Sequence, residues 1–130
     1  MNPPRKGRVL VVDDDPVILE LVRGWLEDAG YAVEVRETAL GTTQQVATEQ
    51  PDVVLLDVMM PALSGSELAQ LIRRHHRTAL ASVILHSSLE PQELASLVEK
   101  TGALGALPKT NDAERFVADF DRLMSNRPSA

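Results

Sequence analysis

Short runs of apolar residues alternate with amphipathic segments along the whole chain of 130 residues. After each run, apolar residues recur at the spacing of an α-helix, so the pattern predicts five strand–helix units. Strict alternation is typical of an α/β fold in which helices cover both faces of a parallel sheet. The predicted strands are Val9–Val12, Tyr31–Val35, Val53–Leu56, Val83–Leu85 and a weaker run at Leu104–Leu107.

Residues typical of helix ends lie between the predicted strands. Pro16 begins the first amphipathic segment and Gly30 ends it, in keeping with the preference of proline for the first helical position and of glycine for the position after the last. Asp15, directly before Pro16, is predicted to be the N-cap of this helix. A similar segment begins near residue 90 and ends at Gly102.

The other helices are predicted from signals of different kinds. Ser64 and Glu67 have the spacing of a capping box, which predicts a helix after the third strand. The last helix is predicted to start at Asn111 or Asp112. The segment Thr38–Glu49 is the least amphipathic of the five and is also predicted to be helical.

Composition narrows the class of protein. Apolar residues make up 44% and charged residues 25%, as in an ordinary soluble globular domain. The chain has no cysteine, which excludes disulfides, thiolate metal sites and thiol catalysis. A net charge of −6 and only 3% aromatic residues argue against nucleic-acid binding. No apolar run is long enough to cross a membrane, and the N-terminus lacks the apolar segment of a signal peptide, so we expect a cytoplasmic protein.

The domain organisation follows from the same pattern. We expect residues 8–125 to form one domain, because this length suits a single core. Residues 1–7 are predicted to be a flexible N-terminal tail, and residues 126–130 a flexible C-terminal tail or the start of a linker.

Carboxylate, hydroxyl and ammonium side chains follow four of the predicted strands. In a parallel sheet of this kind, ligands bind at the carboxyl ends of the strands. Adjacent carboxylates repel one another unless a cation compensates their charge, and oxygen ligands without His or Cys favour Mg²⁺. A carboxylate nucleophile beside a metal ion, an ammonium group and a hydroxyl suits phosphoryl transfer. The residues concerned are Asp13, Asp14, Asp57, Ser87 or Ser88, and Lys109.

The sequence resembles the receiver domain of bacterial two-component response regulators over about residues 8–124. The resemblance is carried by "VVDDDP", by "LLDVMMPALSG", in which Pro61 and Gly65 follow Asp57 by four and eight residues, and by Ser87 and Lys109, 22 residues apart. It implies a flavodoxin-like fold, in which a doubly wound, five-stranded parallel sheet of strand order 2-1-3-4-5 forms the middle of three layers.

The resemblance also implies a role for each acidic residue. Asp57 would accept a phosphoryl group from a histidine kinase or a histidine phosphotransfer protein. Asp14 would bind Mg²⁺ directly and Asp13 partly through water, while Asp57 and the backbone carbonyl of Met59 would complete the protein ligands.

The switch is implied in the same way. Lys109 would pair with one phosphoryl oxygen, and Ser87, supported by Ser88, would move to hydrogen-bond another. This movement would alter the face formed by the fourth helix, the fifth strand and the fifth helix, which would contact a downstream protein, a fused output domain or a second copy. Such a domain would not be an enzyme beyond its own phosphorylation and dephosphorylation.

Two departures from the family pattern affect the expected switch. Ala106 occupies the position, three residues before Lys109, where the family often has an aromatic residue. Pro108 precedes the lysine and Thr110 follows it, so the cis Lys–Pro bond of many members is absent. The Leu107–Pro108 bond is expected to be trans.

Other residues near the expected site are interpreted individually. His86 is expected to be a surface or loop histidine with an ordinary pKa, and His75 and His76 have no predicted ligand role. Met59 and Leu89 are apolar neighbours of the site, and we expect them to hinder an attacking water and to slow dephosphorylation.

Two other functions remain open from the sequence. A receiver-like interaction module that signals without phosphate is mildly favoured by Ala106. A phosphatase of the haloacid dehalogenase type would use the Asp-x-Asp spacing of "DDDPV", but it would leave "LLDVMMP" unexplained. The sequence does not decide between a stand-alone receiver and an excerpt of a longer chain.

Overall fold

A computed structural model describes residues 6–59 and 82–127. Within these ranges the chain forms strands β1 (Arg8–Val12), β2 (Ala32–Arg36), β3 (Val53–Asp57), β4 (Ser82–Ser87) and β5 (Gly105–Pro108). The helices are α1 (Pro16–Asp28), α2 (Thr42–Glu49), α3 (Pro91–Thr101) and α4 (Ala113–Ser125). The helix predicted from Ser64 and Glu67 lies outside the described residues, as do Pro61, Gly65, His75 and His76.

The five strands form one parallel sheet in the order β2-β1-β3-β4-β5. The predicted strand order is therefore confirmed, and each predicted strand is present with bounds that differ by two residues or fewer. Every residue of β3 and β4 is buried, as expected for central strands covered on both faces. No peptide bond among the described residues is cis, so the trans bond expected before Pro108 is confirmed.

Two apolar cores lie on opposite faces of the sheet. One packs α1 and α4 against the sheet, and we call it the α1/α4 core; the other packs α2 and α3 against it and is the α2/α3 core. Alternate residues of a strand contribute to each core, because successive side chains point to opposite faces. In β4, for example, Ile84 lies in the α1/α4 core and Leu85 in the α2/α3 core. The predicted three-layer, doubly wound architecture is confirmed.

Helix α1 begins and ends as its sequence predicts. The Asp15 carboxylate accepts a hydrogen bond from the Val17 N–H at 2.9 Å, and Pro16 occupies the first turn. This contact satisfies one of the backbone N–H groups that a helix leaves unpaired at its start. At the other end, Ala29 is the C-cap and Gly30 adopts φ +105°, a conformation that glycine adopts without steric cost.

Asp15→Ala is expected to lower the free energy of unfolding by about 1 kcal/mol, because the capping acceptor is lost. Urea denaturation followed by far-UV circular dichroism measures this change. Asp28→Ala, at the opposite end of α1, is the matched control and is expected to be neutral or slightly stabilising, since a carboxylate is unfavourable near a helix C-terminus. Equal losses in both variants would contradict the capping role.

Helix α2 begins at Thr42, four residues later than the predicted start at Thr38. The Arg36 guanidinium donates to the carbonyl oxygens of Thr38 and Leu40 at 3.1 and 3.0 Å through Nε. Gly41 follows with φ +81°. These side-chain contacts hold residues 38–41 in a non-helical conformation, so the prediction of the first turn is wrong.

Both predicted tails contain residues that contact the domain. The backbone N–H of Lys6 donates to the Gly30 carbonyl at 2.9 Å, and Arg127 Nη1 lies 3.5 Å from Asp52 Oδ1. Lys6 and Arg127 are therefore in contact with the domain, and its bounds at residues 8 and 125 stay a prediction. None of the helices that the structure describes is both long and apolar enough to span a bilayer.

Candidate functional site

Three aspartates meet at the carboxyl end of the sheet. β1 and β3 are neighbours with Val12 opposite Leu56, so Asp13, one residue beyond β1, lies beside Asp57 at the end of β3. Carboxylate oxygens of Asp13, Asp14 and Asp57 all lie within 4.8 Å of one another. Asp13 and Asp57 are 1% and 2% exposed, whereas Asp14 is exposed. The predicted acidic cluster is therefore present, with two buried members and one that faces solvent.

Lys109 lies against the two buried carboxylates. Its Nζ is 3.2 Å from Asp13 Oδ2 and 3.4 Å from Asp57 Oδ2. The lysine directly follows β5, and its backbone N–H donates to the Ser87 carbonyl at 3.0 Å, which attaches it to the end of β4. The sheet thus brings together all four charged residues of the predicted site.

Backbone N–H groups bind one oxygen of each buried carboxylate. The Asp15 N–H donates to Asp13 Oδ1 at 2.9 Å, and the Met59 N–H donates to Asp57 Oδ1 at 3.0 Å. Asp13 Oδ2, although close to Lys109, receives no hydrogen bond of acceptable geometry from the described residues. The ion pair with Lys109 is the contact that offsets the buried charge of this oxygen, and a further cation nearby would stabilise it.

Burial and neighbouring charges have opposing effects on the pKa values of Asp57 and Lys109. Burial raises the pKa of Asp57, and the negative charge of Asp13 adds to this effect, while the Met59 N–H and Lys109 act in the opposite direction. Burial alone would lower the pKa of Lys109, but the Asp57 and Asp13 carboxylates outweigh it and raise the pKa overall. One ammonium group against three carboxylates leaves the site with excess negative charge.

The donor set fits Mg²⁺. All of the candidate ligands are oxygen atoms, which this ion prefers, and the exposed Asp14 leaves the cluster open to solvent. Together with the excess negative charge of the three carboxylates, these observations make the cluster a suitable cation site. The contribution of the Met59 carbonyl stays a prediction.

The two serines differ in their surroundings. Ser87 is fully buried, and its Oγ accepts a hydrogen bond from the Leu89 N–H at 3.1 Å. No hydrogen bond joins this hydroxyl to Asp57 or Lys109 in the described part of the chain, so in this structure the Ser87 hydroxyl binds the turn that follows β4. Ser88 is exposed. Ala106 is half-buried and packs against the α2/α3 core.

His86 is buried, and the expectation of a surface or loop histidine is wrong. Its side chain is 3% exposed, and its ring meets the Phe116 ring edge-on at a centroid distance of 5.5 Å. Burial lowers the pKa of His86 to about 4, and the positive charge of Lys109 contributes. The burial of His86 could have been predicted from the alternation of side chains along β4. His86 is two residues after Ile84 and therefore faces the same core.

Buried His86 is expected to make the protein sensitive to acid. The unfolded chain binds a proton on His86 below its ordinary pKa of 6.5, whereas the folded protein does so only near pH 4. Stability is therefore complete above pH 6.5 and falls as the pH falls toward 4, with a loss of about 2 kcal/mol from this group by about pH 5. Urea denaturation above pH 6.5 and at about pH 5 measures this loss of stability, which should be smaller in His86→Leu than in the wild type. An equal loss in both proteins would contradict the role of His86.

Comparison with known proteins agrees with this geometry. The family described as the response regulator receiver domain matches residues 9–121. The DNA-binding dual master transcriptional regulator RpaA of Synechocystis sp. is 34% identical over 117 residues, which cover 90% of this chain and 48% of that protein. The nitrogen assimilation regulatory protein NtrX of Azorhizobium caulinodans is 33% identical over 118 residues, 89% of this chain and 26% of that protein. The chain thus spans half or less of the length of these relatives.

Solved structures show the same architecture. The chemotaxis response regulator CheY4 of Vibrio cholerae is 26% identical and superposes with a TM-score of 0.76, covering 89% of this chain and 97% of that one. A response regulator from Desulfuromonas acetoxidans, at 22% identity, has a TM-score of 0.78 with coverage of 92% and 97%, which shows the shared fold. Because the family match covers residues 9–121 and the curated relatives are more than 30% identical, this chain belongs to the family of response regulator receiver domains.

Proposed function

We propose that this domain, residues 8–125, accepts a phosphoryl group on Asp57 from a histidine kinase or a histidine phosphotransfer protein, with Mg²⁺, and signals through protein contacts. The observation that carries the proposal is the arrangement at the sheet edge. A buried Asp57 carboxylate lies 3.4 Å from the Lys109 ammonium and within 4.8 Å of two further carboxylates. A nucleophile, a cation for the phosphoryl oxygens and a metal-binding set therefore lie together.

The metal ion would be held by the carboxylates of Asp13, Asp14 and Asp57 and by the Met59 carbonyl. The excess negative charge of the cluster and its set of oxygen ligands support this assignment. When bound, Mg²⁺ neutralises charge on the phosphoryl oxygens and on the carboxylates.

The side chains of the domain would act as follows. A carboxylate oxygen of Asp57 attacks phosphorus, an O–P bond forms, and the bond from phosphorus to the donor's histidine nitrogen breaks, so that nitrogen keeps the electron pair. Lys109 exchanges its contact with Asp57 Oδ2 for a phosphoryl oxygen. Ser87 turns its hydroxyl from the Leu89 N–H toward another phosphoryl oxygen and becomes a donor. Each exchange replaces a contact that is present in the structure.

Incubation with Mg²⁺ and acetyl phosphate or phosphoramidate, followed by intact mass measurement, tests the proposal. The wild-type protein is expected to gain one phosphoryl group, and the gain should require Mg²⁺. No adduct on the wild type, or an undiminished adduct on Asp57→Asn, would refute phosphoryl acceptance at this residue.

The output surface is part of the same proposal. We propose that the face formed by α3, β5 and α4 responds to the Ser87 movement and contacts a downstream protein, a fused output domain or a second copy. These elements are the predicted fourth helix, fifth strand and fifth helix. Support comes from the Lys109 N–H bond to the Ser87 carbonyl, which couples the ends of β4 and β5, and from α4 and α3, which pack on either side of β5.

A receiver-like module that binds its partner without phosphate is the second candidate. Ala106 favours it, because a methyl group at this half-buried position provides no aromatic ring to couple Ser87 to the surface. Equal partner binding by wild type and Asp57→Ala would favour this module. The phosphatase alternative is not supported, because the chain belongs to the receiver family and Asp15 caps α1.

Met59→Asn is expected to shorten the lifetime of the phosphoryl group several-fold. The Met59 side chain is 56% exposed, and its backbone N–H binds Asp57, so the thioether would cover the approach of water to phosphorus. A polar amide would instead hold a water molecule near the site. The decay of the mass adduct after removal of donor measures the rate, and Met59→Leu is the apolar control. Slower decay in Met59→Asn would contradict this role.

A further inference from the structure

All four aromatic residues of the chain lie in the α1/α4 core. Their rings form a continuous cluster, with centroid distances of 5.5 Å for Trp25–Phe116, 6.1 Å for Phe116–Phe120 and 5.1 Å for Phe120–Tyr31. We call these residues the aromatic cluster. Offset and edge-on contacts of this kind have preferred geometries, so a displacement of one ring changes the packing of its neighbours.

His86 joins the aromatic cluster to the phosphorylation site. Its ring contacts Phe116 at 5.5 Å, while its backbone lies opposite Asp57 in the register of β3 and β4. The next residue, Ser87, presents its carbonyl to the Lys109 N–H at 3.0 Å. His86 and Ser87 point to opposite faces of one strand, so a shift of the end of β4 moves both side chains.

A surface groove provides a second connection. The groove, of about 180 Å³, lies between α1 and the segment after β5, and Trp25, His86 and Lys109 are among its lining residues. Lys109 also binds Asp13 and Asp57. A movement of its ammonium group toward a phosphoryl oxygen would therefore change the surroundings of both rings.

Among the residues that the structure describes, the opposite face of the sheet has no such connection. Ala106 packs against the α2/α3 core, and that core contains none of the chain's phenylalanine, tyrosine or tryptophan rings. Rigid side chains that could transmit a change from the end of β4 are thus concentrated beneath α1 and α4.

We propose that phosphorylation of Asp57 also changes the packing of α1 against α4, through His86 and Phe116. This inference rests on the proposed function. Closely packed rings change between discrete arrangements rather than deform continuously. A shift of the end of β4 would therefore be transmitted to both faces of the sheet, through Ser87 on the α3 side and through His86 on the α1/α4 side.

Fluorescence of Trp25, the sole tryptophan of the chain, tests this inference. Emission and intact mass are followed together after addition of Mg²⁺ and acetyl phosphate. The wild-type emission is expected to change in proportion to the adduct. His86→Leu should form the adduct but show less than about half of the wild-type emission change, because the edge-on ring contact is lost.

Three further variants make the test specific. Phe116→Leu breaks the same contact from α4 and replaces His86→Leu if circular dichroism shows that the latter is unfolded. His86→Phe keeps a ring and is expected to restore the response. Leu85→Met, a volume-conserving change one residue earlier on the opposite face, is expected to leave the response unchanged.

The outcomes separate this inference from the proposed function. An adduct without an emission change in the wild type, or an unaltered change in both His86→Leu and Phe116→Leu, overturns the inference and leaves the proposed function standing. Absence of any adduct overturns the proposed function, and the inference fails with it.

Discussion

Asp57→Asn is expected to abolish the phosphoryl adduct and, in the metal-free protein at neutral pH, to raise the free energy of unfolding. The adduct is lost because an amide is not a nucleophile toward phosphorus. Stability rises because burial and the neighbouring Asp13 raise the pKa of Asp57, which means that the charged form is disfavoured in the folded protein. The amide oxygen of Asn can still accept the Met59 N–H, and Lys109 keeps its contact with Asp13.

The pH dependence of this effect has a definite sign. The folded protein binds a proton on Asp57 at a higher pH than the unfolded chain does. The contribution of Asp57 to the stability of the metal-free wild type is therefore lost as the pH rises from the ordinary carboxyl pKa of 3.8 through the raised value, and Asp57→Asn has no such loss.

Urea denaturation in the presence of EDTA measures the stability change, and intact mass after incubation with Mg²⁺ and acetyl phosphate measures the adduct. Glu99→Gln, an exposed change on α3, is the control and is expected to alter neither quantity. A variant that keeps the adduct, or that is markedly less stable than the wild type without metal, would contradict the account of Asp57.

Lys109→Met is expected to destabilise the metal-free protein by about 3 kcal/mol, because removing one partner leaves buried charge uncompensated. Asp13 and Asp57, 1% and 2% exposed, would lose the ammonium that lies 3.2 and 3.4 Å from their oxygens. The same change removes the cation that would stabilise the transferring phosphoryl group, so adduct formation should be slower by on the order of 100-fold.

A double-mutant cycle tests the cause of this destabilisation. If the loss arises from Asp57, then Lys109→Met should cost less in the Asp57→Asn background than in the wild type. Lys100→Met, an exposed change on α3, is the control and should leave stability and adduct formation near the wild-type values. Equal costs in the two backgrounds, measured in urea with EDTA, would show that the Lys109–Asp57 contact is not responsible.

Much of the fold could be predicted because its signals are local and repeat. The apolar runs of β3 and β4 are continuous, as burial on both faces requires, and the Asp15-Pro16 pair specifies the start of α1. The convergence of Asp13, Asp57 and Lys109 followed from one rule, that parallel strands end at a common edge.

The errors have physical causes that sequence patterns represent poorly. The first turn of the helix predicted from Thr38 is replaced by contacts from the Arg36 guanidinium, which periodicity does not detect. A polar residue near a strand end is expected at the surface, but the His86 ring packs against Phe116, a residue 30 positions later in the chain. The hydrogen bond from the Leu89 N–H to Ser87 Oγ was also not predicted. In the proposed function this contact belongs to the state without a phosphoryl group.

Because the aromatic rings lie on one face of the sheet, the spectroscopic signals of the protein report mainly on that face. Tryptophan emission and near-ultraviolet dichroism come from the α1/α4 core, where all four rings lie, whereas melting of the α2/α3 core would be silent in both signals. An unfolding curve recorded by fluorescence therefore monitors half of the molecule, and agreement with far-ultraviolet dichroism would establish that the two cores unfold together. A tryptophan introduced in place of Val98, which packs against the α2/α3 core, would give that half its own signal.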